Sequence, residues 1–367
     1  MPLNIGTAVA RPRERTTGWF DAVDLPTGGT DRFPVIIAQG DPNGPVLWLT
    51  TGIHGDEHTG VVVIHRLLET LVLGELTGTL VAVTNLNPAG LRTRKRTAYY
   101  LDGDPNRHFP NPSSGSRPAV AQLESAYARL YDVVARTKPA GLIDLHNAFI
   151  GSIAFIFRDP VFYHRRRGFG RGRTRGEAFA RQERVGEMVS AFGFTVINEF
   201  AADSYVEKEL HRSVSGSMLN GLGIPACTVE LGSWMHVDPG VADAAAAGIR
   251  NVMRWAGMLP GDPEPIEGIP VLRPGYQVRR HMGPAAPAAG IVDMLVRPGQ
   301  TVRKGERIAV MRDLFGSPLG PHDGGASYAN YDGFVIGWRH GVARYRGESL
   351  MALAIPDDSE MVVPYPE

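Results

Sequence analysis

The segment VLWLTTGIHGDEHTG, residues 46–60, decides how the rest of the chain is interpreted. Residues 46–51 form a short, apolar, partly β-branched run with the length of a buried strand, and the Gly/Asp-rich residues after it indicate a tight turn out of the sheet. His54 and Glu57 therefore lie on a turn at the carboxyl end of a strand, where open α/β sheets place their ligands. A His/Glu pair needs only a second histidine to complete a catalytic zinc triad with an open fourth position.

The composition is typical of a globular protein in a reducing compartment. The 367 residues are 43% hydrophobic and 21% charged, and 38 Lys+Arg balance 38 Asp+Glu. This neutrality favours neither nucleic acid nor an anionic membrane as a partner. The single cysteine, Cys227, excludes an intramolecular disulfide. Because no signal peptide and no membrane-length apolar run is visible, we expect a cytoplasmic protein, and a homo-oligomer is compatible with this composition.

Apolar periodicity predicts two regions. Strands and helices alternate over residues 30–258, which predicts an α/β domain on a largely parallel or mixed sheet. Strands are expected at 33–38, 46–51, 79–84, 141–145, 153–157 and 226–231, and helices at 61–73, 119–135, 177–192, 206–222 and 241–258. Beyond a proline-rich linker, two similar strand–turn–strand segments predict a small all-β domain. The expected division is therefore an α/β domain at 1–262 and a β domain at 270–356.

His146 is the best candidate for the second histidine. It follows the apolar strand predicted at 141–145, as His54 follows its own strand, so parallel strands would place both imidazoles at one sheet edge. A capping or core histidine is the alternative, but the shared strand-end position favours a ligand. His54, Glu57 and His146 are thus the predicted ligands of one Zn²⁺ per chain, leaving a position for a water whose pKa the zinc lowers to roughly 7.

A carboxylate that does not bind the metal is also needed, as a base for that water. Glu230 ends the apolar strand predicted at 226–231, where burial could raise its pKa towards a useful value. A capping or salt-bridged carboxylate without a chemical role is the alternative.

A long polar loop, residues 91–116, supplies candidate cations. Loops of this length without secondary structure are usually functional or disordered, and the aromatic residues here argue against disorder. Arg107 with Asn106 could bind a substrate carboxylate, and Arg96 could polarise a carbonyl and hold an oxyanion. Each arginine alone could equally be a solvated surface charge. The Arg/Gly-rich stretch at 165–175 is interpreted as a solvated, mobile insertion.

Together, five motifs resemble the succinylglutamate desuccinylase/aspartoacylase family, which is related to the zinc carboxypeptidases. They are Gly52-Ile53-His54-Gly55-Asp56-Glu57, Asn87-Pro88, Asp104-Pro105-Asn106-Arg107-His108-Phe109-Pro110, Asp144-Leu145-His146 and Thr228-Val229-Glu230-Leu231-Gly232. Residues 290–354 also resemble that family's C-terminal domain. The match therefore extends over nearly the whole chain beyond residue 30.

The resemblance implies a zinc-carboxypeptidase-like mixed sheet flanked by helices, followed by a small barrel-sandwich-like β domain. The site roles that it implies coincide with those above: His54, Glu57 and His146 hold zinc, Glu230 is base and then acid, Asn106 and Arg107 take the substrate carboxylate, and Arg96 takes the carbonyl oxygen. It adds Asp104 as the carboxylate that orients His54. One departure is Pro105, where the family usually has leucine; proline fixes φ and removes an N–H.

We therefore expect zinc-dependent hydrolysis of the amide bond of a small N-acyl amino acid, of the deacylase or desuccinylase type. Metal-bound water would attack the carbonyl, with Glu230 as general base and with zinc and Arg96 stabilising the oxyanion. A zinc carboxypeptidase acting on peptides is the alternative, because it shares this site. A non-catalytic binding module is a weaker interpretation. Residues 290–354 resemble biotinyl- and lipoyl-type sandwiches, but Lys304 lies in Arg303-Lys304-Gly305 and lacks the sequence motif of a modified lysine.

Overall fold

A computed structural model describes residues 2–111, 121–164, 174–339 and 341–366, so most of the Arg/Gly-rich stretch predicted as a mobile insertion lies outside the described residues. The strands in chain order are β1 (Asn4–Ile5), β2 (Ala8–Val9), β3 (Glu14–Asp24), β4 (Thr30–Gln39), β5 (Asp41–Thr51), β6 (Thr77–Val83), β7 (Gly141–Ala148), β8 (Ala154–Arg158), β9 (Val161–Tyr163), β10 (Thr195–Asn198), β11 (Ala226–Ser233), β12 (Val278–Met282), β13 (Gly290–Met294), β14 (Thr301–Val302), β15 (Arg307–Arg312), β16 (Ala326–Tyr328), β17 (Gly333–Trp338), β18 (Ala343–Arg344), β19 (Met351–Pro356) and β20 (Val362–Pro364). The α-helices are α1 (Thr59–Thr70), α2 (Pro88–Thr93), α3 (Gln122–Thr137), α4 (Arg175–Phe192), α5 (Ala202–Glu207), α6 (Val214–Gly216) and α7 (Pro239–Trp255). Short 3-10 turns at Pro105–Arg107, Leu210–Arg212 and Asp323–Gly325 and a π-helical turn at Ser217–Leu222 complete the secondary structure.

A large mixed sheet organises the fold, as predicted. Its twelve strands run in the order β14-β17-β19-β12-β10-β8-β11-β7-β5-β6-β4-β3. The central strands β11, β7, β5 and β6 are parallel to their neighbours in that group, whereas β4 and β3 add antiparallel pairs at one side. The helices α1 and α4 both pack on α7, and α3 packs on β3, so the predicted α/β class with flanking helices is confirmed.

The register of the central strands brings three carboxyl ends to one edge. Thr51 at the end of β5 pairs with Leu145 on β7, and His146 on β7 pairs with Glu230 on β11. The strands themselves are almost fully buried, which explains their continuous apolar sequences. Each strand end therefore delivers a polar side chain to the same place.

The C-terminal region is all β, as predicted, and it is continuous with the main sheet. Strand β12 pairs with β10 on one side and with β19 on the other, and β17 and β14 extend the sheet further. A second, four-stranded sheet has the order β16-β15-β13-β18. Strand β12 is thereby part of the main sheet, and the proposed boundary between 262 and 270 stays a prediction.

The sequence-based prediction of one helix over 206–222 is wrong. Glu209 adopts a left-handed conformation with φ 53°, and Ser213 is extended with φ −70° and ψ 170°, so the segment breaks into short turns. The long edge strand β3 and the short strand β10 were not predicted, because neither shows a clean apolar run. None of the helices in the described ranges combines the length and apolarity needed to cross a bilayer.

The packing of α7 on α4 gives a stability test with an internal control. A Cβ placed on Gly248 would lie 2.6 Å from the Phe192 ring, whereas one on Gly186 of α4 meets nothing within 4 Å. Alanine usually favours a helix over glycine by ~1 kcal/mol. We therefore expect Gly186→Ala to be neutral or stabilising, and Gly248→Ala to lose about 1–3 kcal/mol through overpacking. Urea unfolding measures both; a Gly248→Ala protein as stable as wild type would contradict this close helix contact.

Candidate active site

Three buried side chains from separate parts of the chain converge at the sheet edge. His54 and Glu57 come from the turn after β5, and His146 comes from β7; one potential ligand atom from each lies within 4.8 Å of the others. Glu57 lies between the two imidazoles, with 2.8 Å from His54 Nδ1 to Oε1 and 2.8 Å from His146 Nδ1 to Oε2. The Asn147 N–H also donates to Oε2 at 3.1 Å. The structure therefore brings together the three residues predicted as ligands.

Each imidazole is held from behind by a second carboxylate. His54 Nε2 lies 3.0 Å from Asp104 Oδ1, and His146 Nε2 lies 2.6 Å from Asp144 Oδ2. An Nε2–H that donates to a carboxylate leaves the Nδ1 lone pair for a cation, which is the usual arrangement behind a metal-binding histidine. Both Nδ1 atoms face Glu57, so the donor set fits a divalent ion such as Zn²⁺.

Asp144 is a positioning residue that the sequence analysis did not identify. It precedes His146 by two residues on β7 and therefore shares its face of the strand. The Thr50 hydroxyl donates to its other oxygen at 2.7 Å, which fixes the carboxylate. The Asp-X-His spacing on a buried strand is the sequence pattern that could have identified Asp144.

The electrostatics of the cluster favour a cation at its centre. Burial alone would raise the pKa of Glu57, but the two neighbouring imidazoles hold it well below its ordinary value. Burial would lower the pKa of His146, but Asp144 and Glu57 raise it well above its ordinary value. The same carboxylates that stabilise a proton on this imidazole would stabilise a metal ion bound to Nδ1.

Glu230 lies beside this cluster without joining it. It is directly opposite His146 in the β11–β7 register, and its buried Oε2 has no hydrogen-bond partner among the described residues. Burial raises its pKa to about 7, an effect that His146 opposes and Glu57 reinforces. A carboxyl group in this state can accept and return a proton near neutral pH.

Arg96, from the polar loop, contacts the candidate metal site formed by His54, Glu57 and His146. Its Nη1 donates to Glu57 Oε1 at 3.2 Å and its Nη2 to Asp104 Oδ2 at 2.8 Å. Although burial lowers the pKa of Arg96, these two carboxylates raise it above its ordinary value, so the guanidinium stays charged. About half of the side chain remains exposed, at 48%. A cation therefore lies directly beside the three candidate metal ligands.

Asn106 and Arg107 lie on a 3-10 turn that Asp104 caps. Pro105 occupies the first position of this turn, where a missing N–H costs little, so the departure from the family pattern is accommodated. Asn106 Oδ1 accepts the Val214 N–H at 2.8 Å. Arg107 donates through Nε to the Lys208 carbonyl and through Nη1 to the Asn106 carbonyl, both at 2.7 Å. Its Nη2 lies 3.9 Å from Asp104 Oδ2, and the carboxylate-binding role of this pair stays a prediction.

The site opens into two connected spaces. An outer cleft of about 620 Å³ and an inner pocket of about 80 Å³ are both lined by His54, His146, Arg96 and Glu230. Asn106 and Arg107 line the inner pocket. The outer cleft also contains Arg280, Met282 and Arg339 from the C-terminal region and the aromatic residues Phe149, Phe200 and Trp234. Arg280 was not predicted from the sequence, because its contribution depends on the insertion of β12 into the main sheet.

The fold and the site together define the class of protein. It is an α/β fold in which a His-Glu-His cluster and a separate buried carboxylate lie at the carboxyl ends of the central parallel strands. Residues 43–161, about a third of the chain, match the model of the succinylglutamate desuccinylase/aspartoacylase catalytic domain. The resemblance predicted from the sequence is therefore confirmed for this segment.

Two curated relatives share parts of the chain. Succinylglutamate desuccinylase of Burkholderia thailandensis is 28% identical over 201 residues, which is 51% of this chain and 49% of the relative. N-alpha-acetyl-L-2,4-diaminobutyric acid deacetylase of Halomonas elongata is 32% identical over 89 residues, 24% of this chain and 25% of the relative. The chain thus spans about half the length of the first relative and a quarter of the second.

The fold itself is shared over nearly the whole length. The product-bound ectoine utilization protein EutE (DoeB) of Ruegeria pomeroyi superimposes with a TM-score of 0.72 at 20% identity, covering 97% of both chains. A succinylglutamate desuccinylase/aspartoacylase of Rhodobacter sphaeroides gives 0.70 at 20% identity, covering 94% of this chain and 96% of its own. The C-terminal β region is therefore part of the common fold.

The arrangement of the three proposed ligands predicts which variants lose the metal. We expect wild-type protein to retain one Zn²⁺ per chain after dialysis, and His54→Ala and His146→Ala to lose it, because each removes one of three ligands. Asp144→Asn should keep the site but weaken its affinity about 10–100-fold, since the imidazole is no longer oriented by a carboxylate. His65→Ala, on the exposed face of α1, is the control. Elemental analysis gives the stoichiometry; full zinc content in His146→Ala would contradict the assignment.

Proposed function

We propose that the protein is a zinc-dependent amidohydrolase that removes the acyl group from a small N-acyl amino acid. The observation that carries this proposal is the pair of buried Nδ1 atoms facing Glu57, with the unpartnered carboxyl group of Glu230 beside them. The names of the two curated relatives support the same chemistry, since one is a desuccinylase and the other a deacetylase of amino acid derivatives.

His54, Glu57 and His146 would hold the metal. Zn²⁺ bound there would lower the pKa of a water ligand and polarise the substrate carbonyl. Asp104 and Asp144 keep the two imidazoles oriented for this task through their Nε2 contacts of 3.0 and 2.6 Å. All three proposed ligands are at most 4% exposed, so the charge acts in a medium of low dielectric constant.

Glu230 is the proposed proton carrier. Its free Oε2 accepts the proton of the attacking water, and the same atom then donates it to the leaving amine. The raised pKa, about 7, suits both steps, because the group can be ionised before attack and protonated after it. Its position opposite His146 on the neighbouring strand keeps it close to the metal without adding a fourth ligand.

The polar loop is proposed to hold the substrate. Arg96 stabilises the developing oxyanion from beside Glu57, as a preorganised charge in a partly buried position. Asn106 and Arg107 are proposed to bind the carboxylate of the amino acid in the inner pocket, where the backbone bonds of Arg107 fix the guanidinium in place. The acyl group then points to the outer cleft.

Replacing the proposed base separates chemistry from metal binding. Glu230→Gln preserves the shape of the side chain but cannot take up a proton, so we expect kcat to fall about 10²–10⁴-fold while zinc content is unchanged. Glu183→Gln, on the exposed face of α4, is the matched control and should keep full activity. Wild-type turnover by Glu230→Gln would remove this residue from the mechanism.

A substrate screen decides between the proposed activity and a peptidase that uses the same site. Arg280, Met282 and Arg339 of the C-terminal region border the outer cleft, and we propose that they keep long peptides out. We expect zinc-loaded protein to hydrolyse N-acetyl, N-succinyl or N-formyl amino acids and to leave peptides of five or more residues intact. Liberated amine is the measured product in both series. Cleavage of the peptides at comparable kcat/KM would favour the carboxypeptidase alternative.

A further inference from the structure

The inner pocket extends from the metal cluster to a group of polar side chains that the proposed mechanism does not use. Beyond Glu230 and the Asn106–Arg107 turn, its wall contains Asp159 at the end of β8, Ser215 of α6 and Thr228 of β11. Its volume of about 80 Å³ is room for roughly three water-sized groups. A short side chain fits such a space, and a long or aromatic one does not.

One carboxylate in this wall is already neutralised. Glu199 Oε1 pairs with Arg280 Nη2 at 2.5 Å. The guanidinium of Arg280 is held between two rings, 4.5 Å from the centroid of Phe157 and 4.1 Å from that of Phe200. These contacts fix Arg280 on Glu199, so it is not a free cation for the rest of the pocket.

Asp159 differs from Glu199 because it has no cationic partner within ion-pair distance in the described parts of the chain. Only 3% of the residue is exposed, and the hydroxyl of Ser215 donates to its Oδ2 at 2.8 Å. The hydroxyl of Thr228 in turn donates to Ser215 at 3.0 Å. Burial raises the pKa of Asp159 to about 7, and the nearby charge of Glu199 acts in the same direction. A buried carboxyl group facing a cavity without a counter-ion is a binding position for a cation.

We propose that the inner pocket receives the side chain of the substrate's amino acid and that this side chain is a short aliphatic amine, whose ammonium group pairs with Asp159. The inference rests on the proposed function, since it assumes that Asn106 and Arg107 hold the α-carboxylate at the pocket entrance. An ammonium at Asp159 would be ion-paired and close to two hydroxyls. A carboxylate there would meet Asp159 and Glu199, and an alkyl group would leave Asp159 without a counter-ion.

Matched substrates test this directly. N-acetyl-L-2,4-diaminobutyrate and N-acetyl-L-norvaline have side chains of nearly the same shape, with an ammonium in one and a methyl group in the other. Zinc-loaded wild type should favour the amine by about 10–100-fold in kcat/KM, the range expected for a hydrogen bond to a charged group. Asp159→Asn should lose most of that preference. Its kcat/KM for the amine substrate should fall, whereas its kcat/KM for the norvaline derivative should change less than about threefold. Asp132→Asn, exposed on α3, is the matched control.

Calorimetry with the free amino acids provides a readout that does not depend on turnover. L-2,4-Diaminobutyrate should bind zinc-loaded wild type more tightly than L-norvaline does, and Asp159→Asn should remove the difference. If wild type hydrolyses no N-acyl amino acid, the proposed function fails and the binding data alone decide the inference. The inference is overturned if wild type prefers norvaline or an acidic amino acid. It is also overturned if Asp159→Asn loses affinity equally for both ligands. Should that variant not fold, as judged by its melting curve, the preference of the wild type decides.

Discussion

The position of Glu57 between two imidazoles is the constraint on which the rest of the site depends. One carboxylate has an Nδ1 atom 2.8 Å from each of its oxygens, in a place where all three residues are buried. Such an arrangement is stable only if the negative charge is compensated, by a shared proton or by a metal ion. The parallel order of β5, β7 and β11 makes the arrangement possible, because it places the ends of three strands side by side. The carboxylates of Asp104 and Asp144 and the guanidinium of Arg96 are arranged around it.

The two regions of the chain contribute different residues to the site. The central sheet supplies the metal cluster and Glu230, whereas β12, which joins the sheet from the C-terminal region, supplies Arg280. Arg280 then neutralises Glu199 and lines both the outer cleft and the inner pocket. The C-terminal region therefore lines the outer cleft, without contributing any of the three candidate metal ligands.

The strand-end residues could be predicted from sequence because each follows an apolar run that only a buried strand explains. His54, Glu57, His146 and Glu230 share that signature, and the structure brings them together. Arg280 lacks it, and Asp159 has it only in part, since Arg158 stands between it and the strand predicted at 153–157. The place of both residues in the pocket depends on the order of strands in the sheet, which no local pattern contains. The broken segment after β10 was predicted as a helix because its apolar spacing is helical, but the left-handed Glu209 and the extended Ser213 override that spacing.

This broken segment has a consequence for how such a site can change. Its backbone receives the Arg107 guanidinium at the carbonyl of Lys208 and offers the Val214 N–H to Asn106, and its Ser215 contacts Asp159. It holds none of the proposed metal ligands. Insertions or exchanges within this stretch can thus reshape the inner pocket while His54, Glu57, His146 and Glu230 keep their positions. Under the proposed function, selectivity can therefore evolve separately from reactivity.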